Sequence, residues 1–171
     1  AGSSLTLTAT LSAASISDTT ISFATSGTGT EGTDYSTISD ITISAGDTTG
    51  TASFTPSDDS TYEGNETAII SVSTVSGADA TESGTQSETI TITDNESAPT
   101  VTLAAASSSI DENSDSTITL TATASTATFQ DITVSIDGTG GTGTEGTDFG
   151  TVSDITISAG STTGTVTFDP T

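Results

Sequence analysis

The chain contains one long internal repeat, and a repeat of domain length constrains the fold more than any other feature of the sequence. The segment TGTEGTDYSTISDITISAGDTTGTASFTP (Thr28–Pro56) recurs as TGTEGTDFGTVSDITISAGSTTGTVTFDP (Thr142–Pro170). Upstream of it, LTLTATLS (Leu5–Ser12) recurs as ITLTATAS (Ile118–Ser125). A period of this length indicates two copies of a whole domain rather than the short units of a solenoid.

Each copy contains a part that the other does not match. The second copy opens with VTLAAASSSIDENSDS (Val101–Ser116), which has no counterpart before Leu5, whereas the acidic and strand-like residues 57–96 continue the first copy only. We expect that the chain is either a window from a longer tandem array or a subunit whose neighbours supply the missing strands. The predicted organisation is a first sandwich at 1–96 lacking its first strand, a linker at 97–100, and a second sandwich at 101–171 lacking its last strands.

Apolar and polar residues alternate along most of the chain, and strand-like segments recur every 10–15 residues with no helical period. This pattern predicts an all-β fold of tandem, immunoglobulin-like antiparallel β-sandwiches with about seven strands in each complete domain. The predicted strands are Leu5–Leu11, Thr20–Ala24, Ser36–Ile43, Thr49–Thr55, Ala68–Val75, Ser87–Thr93, Val101–Ala105, Thr117–Ala124, Ile132–Asp137, Thr151–Ile157 and Thr163–Phe168.

The charge balance excludes several classes of partner. The chain has 23 Asp and Glu residues, no Lys, Arg or His, and a formal charge of −23. Nucleic acid and anionic lipid are not expected partners, because nothing in the chain can neutralise phosphate. Direct membrane insertion is not expected either, since no apolar run approaches the ~20 residues of a spanning helix. Without His, Cys or Lys the chain offers only carboxylates and hydroxyls for catalysis, so we do not expect an enzyme.

One loop concentrates this charge. DDSTYEGNET (Asp58–Thr67) places four carboxylates in nine residues and leads into the strand-like AIISVSTV. Clustered carboxylates repel one another unless a cation lies among them, and hard oxygen ligands suit Ca²⁺. The alternative interpretation is a solvated acidic loop that keeps the surface soluble.

The order of these motifs resembles the Calx-beta domain family over essentially the whole chain. The motifs are GTDY or GTDF, a strand ending near Ala-Gly, a strand ending in Phe, then DDSTYEGNET and TITDNE. The resemblance implies an immunoglobulin-like sandwich with calcium sites at one end. The family occurs in sodium–calcium exchangers, in integrin β4 and in tandem arrays of large bacterial surface proteins.

Transferred by motif, the resemblance implies a set of calcium ligands in both copies, with Thr61 contributing through its carbonyl. The residues are Asp34, Asp59, Thr61, Glu63, Glu66, Asp94, Glu96, Glu112 and Asp148. Asn95 interrupts the closing acidic triplet, and each copy lacks part of the set, so weak sites of about 10⁻⁴–10⁻³ M are expected. The first copy should hold the better site.

The expected function is a non-catalytic, calcium-stiffened spacer of an extracellular adhesin or stalk. Its partners would be calcium, neighbouring repeats or subunits of the same protein, and surface glycans or other cells. A filament subunit completed by strand exchange is the main alternative. Ice binding, suggested by the Thr-rich strand faces, and glycan binding are minor alternatives.

Overall fold

The computed structural model describes residues 2–112, 116–138 and 140–171, and these form strands, turns and loops with no α-helix. No helix in the described part of the chain could span a membrane. The strands are β1 Leu5–Thr10, β2 Thr19–Gly27, β3 Ile41–Ile43, β4 Thr49–Phe54, β5 Thr61–Tyr62, β6 Glu66–Ser76, β7 Ser87–Ile92, β8 Val101–Ala105, β9 Ile118–Ala124, β10 Ala127–Thr128, β11 Ile132–Val134, β12 Ile155–Ile157 and β13 Thr163–Phe168.

The chain forms two compact units. The first comprises Ala1–Asp59 and Asn65–Thr93, and the second comprises Ser60–Gly64 and Asp94–Thr171. The five residues Ser60–Gly64, from the acidic loop, join the second unit because β5 pairs in parallel with β10. The domain boundaries expected from the repeat stay a prediction.

The first unit is a sandwich of two antiparallel sheets. One sheet has the strand order β3-β2-β6-β7, and the other consists of β1 and β4. Alternate residues of each sheet face inward, so Ile21, Ile41 and Ile43 pack against Leu7 and other partly buried residues of the facing sheet. Tyr35 and Phe54 belong to a second cluster of buried side chains. This layered, antiparallel arrangement is typical of immunoglobulin-like sandwiches.

The second unit repeats part of this plan. Its antiparallel sheets have the orders β13-β9-β8 and β11-β12, and the short parallel pair of β5 and β10 is a third. Ile155 and Ile157 are fully buried and cluster with Ala122 and Ala124 of β9. The predicted all-β, antiparallel fold is therefore confirmed in both units.

Three predicted strands are much shorter in the structure than the alternation predicts. Residues 36–40 and 151–154 are irregular, so β3 and β12 begin only at Ile41 and Ile155. In the first copy the reason is visible: the Ile38 N–H donates to the Glu31 carboxylate rather than to a neighbouring strand. The strand predicted at Ile132–Asp137 ends at Val134. Alternation detects apolar periodicity but not which partner receives each backbone group.

Candidate metal centre

Asp34, in the GTDY motif of the first unit, lies in a tight turn. The Thr30 N–H donates to Asp34 Oδ2 at 2.6 Å, and the Asp34 N–H donates to the Thr30 carbonyl at 2.9 Å. Gly32 has φ +85°, which a residue with a β-carbon rarely adopts, and its N–H donates to the Tyr35 carbonyl. One oxygen of the Asp34 carboxylate, Oδ2, therefore holds the turn together, and the other oxygen, Oδ1, remains available to a ligand.

Glu31 holds this turn against the unit, and the sequence reading did not single it out. Its Oε1 accepts the Ile38 N–H and its Oε2 accepts the Thr25 hydroxyl, both at 2.8 Å. A carboxylate that accepts two such bonds stabilises the loop on either side of Asp34. The available signal was the repeat itself, because TEGTD carries a Glu at the same place in both copies.

Glu66 is brought to the turn by a latch between Thr28 and Thr67. The Thr67 N–H donates to Thr28 Oγ1 at 2.9 Å, and the Gly29 N–H donates to the Thr67 carbonyl at 3.0 Å. The Glu66 carboxylate lies beside this segment, since a β-carbon built at Gly29 would be 3.5 Å from Glu66 Oε2, an ordinary van der Waals distance. The start of β6 and the segment leading to Asp34 are thereby fixed side by side.

Asp34 and Glu66 offer carboxylate oxygens within 4.8 Å of each other, and both side chains are partly buried. Glu63, another predicted ligand, belongs to the second unit, and its role as a ligand stays a prediction. The chain has no Lys, Arg or His to balance them. Partly buried carboxylates supply hard oxygen donors, the kind of ligand that Ca²⁺ prefers. The residues therefore fit a divalent cation.

Asp94, another predicted ligand, anchors the tip of the acidic loop within the second unit. Its Oδ2 accepts the Glu63 and Gly64 N–H groups at 2.8 and 2.6 Å, and its Oδ1 accepts the Glu96 N–H at 2.9 Å. Burial raises the pKa of Asp94, but the hydrogen bonds from Glu96, Glu63 and Gly64 outweigh it and lower the pKa overall. The stability that Asp94 supplies is present above the ordinary carboxyl pKa and lost as the pH falls through the lowered one.

The remaining predicted ligands are not brought into the acidic group found among the described residues. Asp59 and Glu112 are exposed, Thr61 pairs with Ala127, and Asp148 closes a turn of its own by accepting the Thr144 N–H at 2.7 Å. Their roles as ligands, and that of Glu96, stay predictions.

No family model matches the chain, and no curated protein matches it. Five chains of solved structures match, and one of them is described as "Crystal structure of CBD12 from CALX1.2". That chain is 15% identical with a TM-score of 0.44, and the match covers 98% of this chain and 68% of that one.

Proposed function

We propose that the chain is a non-catalytic, calcium-binding structural module. The observation that carries the proposal is the partly buried pair of Asp34 and Glu66 in a chain with no cationic side chain. A Calx-beta-type calcium module, as its motifs suggest, would use such a group. The wider role that we propose is a spacer in an extracellular adhesin or stalk.

Repulsion between the carboxylates of the acidic group favours a bound cation. Two like charges within 4.8 Å repel by about 1 kcal/mol in water and by about 3 kcal/mol at the effective dielectric of a partly buried site. Asp34 and Glu66 cannot separate freely, because one is held in a tight turn and the other begins β6. A divalent cation would convert this repulsion into attraction and join the turn to the strand.

Cation binding would stiffen the first unit by mass action. A ligand that binds only the folded state adds about 2.7 kcal/mol when its concentration is a hundred times its Kd. With so few protein carboxylates we expect an affinity of about 10⁻⁴–10⁻³ M, the range of extracellular calcium modules. Binding would then follow the calcium concentration of the surroundings, and rigidity would follow binding.

Thermal unfolding with calcium and with chelator tests this proposal. We expect 10 mM Ca²⁺ to raise the unfolding midpoint of the full chain by several degrees over EGTA, because the free carboxylates repel one another. Glu66→Gln should remove most of the rise and Glu63→Gln part of it. Glu88→Gln, on an exposed position of β7, is the matched control and should keep the rise.

Two results would contradict the proposal. Equal midpoints in calcium and in EGTA would show that the loop is only a solvated acidic segment. A calcium effect that all three Gln variants retain would show that the ions bind diffusely to the surface charge, and high NaCl should then abolish the effect.

A further inference from the structure

A groove of about 870 Å³ opens between the two sheets of the first unit. One wall is Leu7–Ser12, which includes most of β1, and the facing wall includes Ile70, Val72 and Val75 of β6. Ile21 and Phe23 of β2 also line it, and Asp79, Glu82 and Glu88 contribute its acidic rim. We call this space the β1 groove. It is an apolar slot beside a sheet edge.

The edge of β1 that borders the groove has no partner strand within the described residues. β1 pairs only with β4, from Leu5 opposite Phe54 to Thr10 opposite Thr49. The Leu11 N–H donates to the Thr48 carbonyl on the β4 side. Because N–H groups alternate sides along a strand, those of Thr8 and Thr10 point to the open edge. An open edge of this kind is a template for strand addition.

The second unit shows which strand fits such an edge. β9 corresponds to Leu5–Leu11 by the repeat, and the Ala124 N–H donates to Thr162 at 2.8 Å just as Leu11 donates to Thr48 at 2.8 Å. On its other edge β9 carries β8, antiparallel, with Thr102 opposite Thr123 and Leu103 opposite Ala122. Among the described residues of the first unit, no strand fills the position that β8 fills in the second.

We propose that the β1 groove accepts an antiparallel strand with the sequence of Val101–Ala105, donated by a second copy of this chain. Transfer of the β8–β9 register places Thr102 of the donor opposite Thr10 and Leu103 of the donor opposite Ala9. Leu103 then faces the groove, because Ala9 packs into the core cluster that lines it. The backbone groups of Thr8 and Thr10 then make the hydrogen bonds that Thr121 and Thr123 of the donor give up when β8 leaves β9.

Exposure and charge identify the donor. β8 is an edge strand whose five residues are all exposed, and Val101 and Leu103 expose 38% and 53% of their surface. Residues 101–110 contain no Asp or Glu, although the chain as a whole carries −23. A neutral segment can enter beside the acidic rim of the β1 groove without adding repulsion. Because the hydrogen bonds made at β1 replace those lost at β9, the gain is the burial of Val101 and Leu103, which β8 leaves exposed in its own unit.

A peptide-binding experiment on the full chain tests the groove. The probe is an acetylated, amidated peptide of residues 101–110, titrated in EGTA so that the result does not depend on the calcium proposal. We expect saturable one-to-one binding and a higher unfolding midpoint, and at least a tenfold weaker affinity for the same peptide with Leu103→Asp. Absence of binding at millimolar peptide, or equal binding of both peptides, would overturn the proposal.

A variant of the protein tests the register. Thr8→Pro removes the N–H that faces the open edge, and proline is tolerated at exposed edge positions of this kind. It should abolish peptide binding, whereas Thr8→Val, which keeps the N–H, should retain it. Circular dichroism on both variants establishes that each is folded, and binding that persists in a folded Thr8→Pro chain would overturn the register.

Sedimentation tests the second copy as the donor. The chain should show a concentration-dependent dimer that excess peptide dissociates and that Thr8→Pro weakens at least tenfold. Peptide binding by a chain that stays monomeric at millimolar concentration would overturn the second copy as donor.

Discussion

The two copies of the repeat build the same aromatic pair but bury it to different extents. Tyr35 and Phe54 stack with ring centroids 4.9 Å apart, and each exposes 1% of its surface. Phe149 and Phe168 meet at 5.0 Å but are only partly buried. In the first copy Ala68 and Ile70 of β6 complete the cluster around the rings. In the described part of the second unit no strand corresponds to β6.

This difference separates what a turn determines from what a partner strand determines. The GTDY and GTDF turns have the same hydrogen bonds, since Asp34 accepts the Thr30 N–H at 2.6 Å and Asp148 accepts the Thr144 N–H at 2.7 Å. Local sequence is enough to form that geometry. Burial of the rings, and the acidic group beside Asp34, depend on β6 and the loop before it.

Truncation of the aromatic pair should give the largest difference between the copies. Phe54→Ala should cost about 3–5 kcal/mol of unfolding free energy, because it empties a buried cluster. Phe168→Ala should cost about half as much, since its ring is already partly in water. Urea unfolding followed by circular dichroism measures the cost, and amide exchange assigns it to a unit. Equal costs would contradict the unequal burial.

Substitution of the glutamates that hold the two turns should give a smaller difference in unfolding free energy between the copies than truncation of the aromatic rings. Glu31→Gln weakens bonds to the Ile38 N–H and the Thr25 hydroxyl, both at 2.8 Å, and should cost about 1–2 kcal/mol. Glu145→Gln weakens a longer bond, 3.2 Å from the Val152 N–H, and should cost under about 1 kcal/mol. The same unfolding measurement decides between them, and the reverse order would show that the two turns are held differently.

Removal of a single buried hydroxyl should give the smallest change in unfolding free energy, and that change should be stabilising. Thr19 is fully buried and its Oγ1 has no hydrogen-bond partner in the described structure, whereas the repeat places Ile132 at the same position. Thr19→Val should therefore raise the unfolding free energy by about 1 kcal/mol, as an unsatisfied polar group is replaced by a methyl of similar size. Destabilisation in the same urea assay would mean that the hydroxyl finds a partner.

Much of the fold could be predicted because β-strand periodicity and the repeat are both local signals. β8 and β13 have the bounds that alternation predicts, and β1 and β4 differ by one residue at one end. β2 is longer than predicted and β11 shorter, because β2 has partners on both edges and β11 pairs only with β12. Strand length depends on the partner strands, and the alternation within a single segment carries no information about them.

The candidate site could be predicted only in part for a related reason. Carboxylate clustering identifies the acidic loop, and the motif order identifies Asp34. Which of these residues meet depends on the support of the turn by Glu31 and on the latch between Thr28 and Thr67, and the latch joins distant segments. Backbone bonds to Asp94 likewise depend on the fold of the loop that it anchors. Composition has no information on such contacts.

A matched pair of substitutions tests most directly whether the acidic group, rather than the turn, binds calcium. Asp34→Asn and Asp148→Asn change the same atom in turns of the same geometry, but only Asp34 has Glu66 within 4.8 Å. The rise in unfolding midpoint between EGTA and 10 mM Ca²⁺ should be lost in Asp34→Asn and kept in Asp148→Asn. An equal rise in both variants, or an equal loss, would contradict the account.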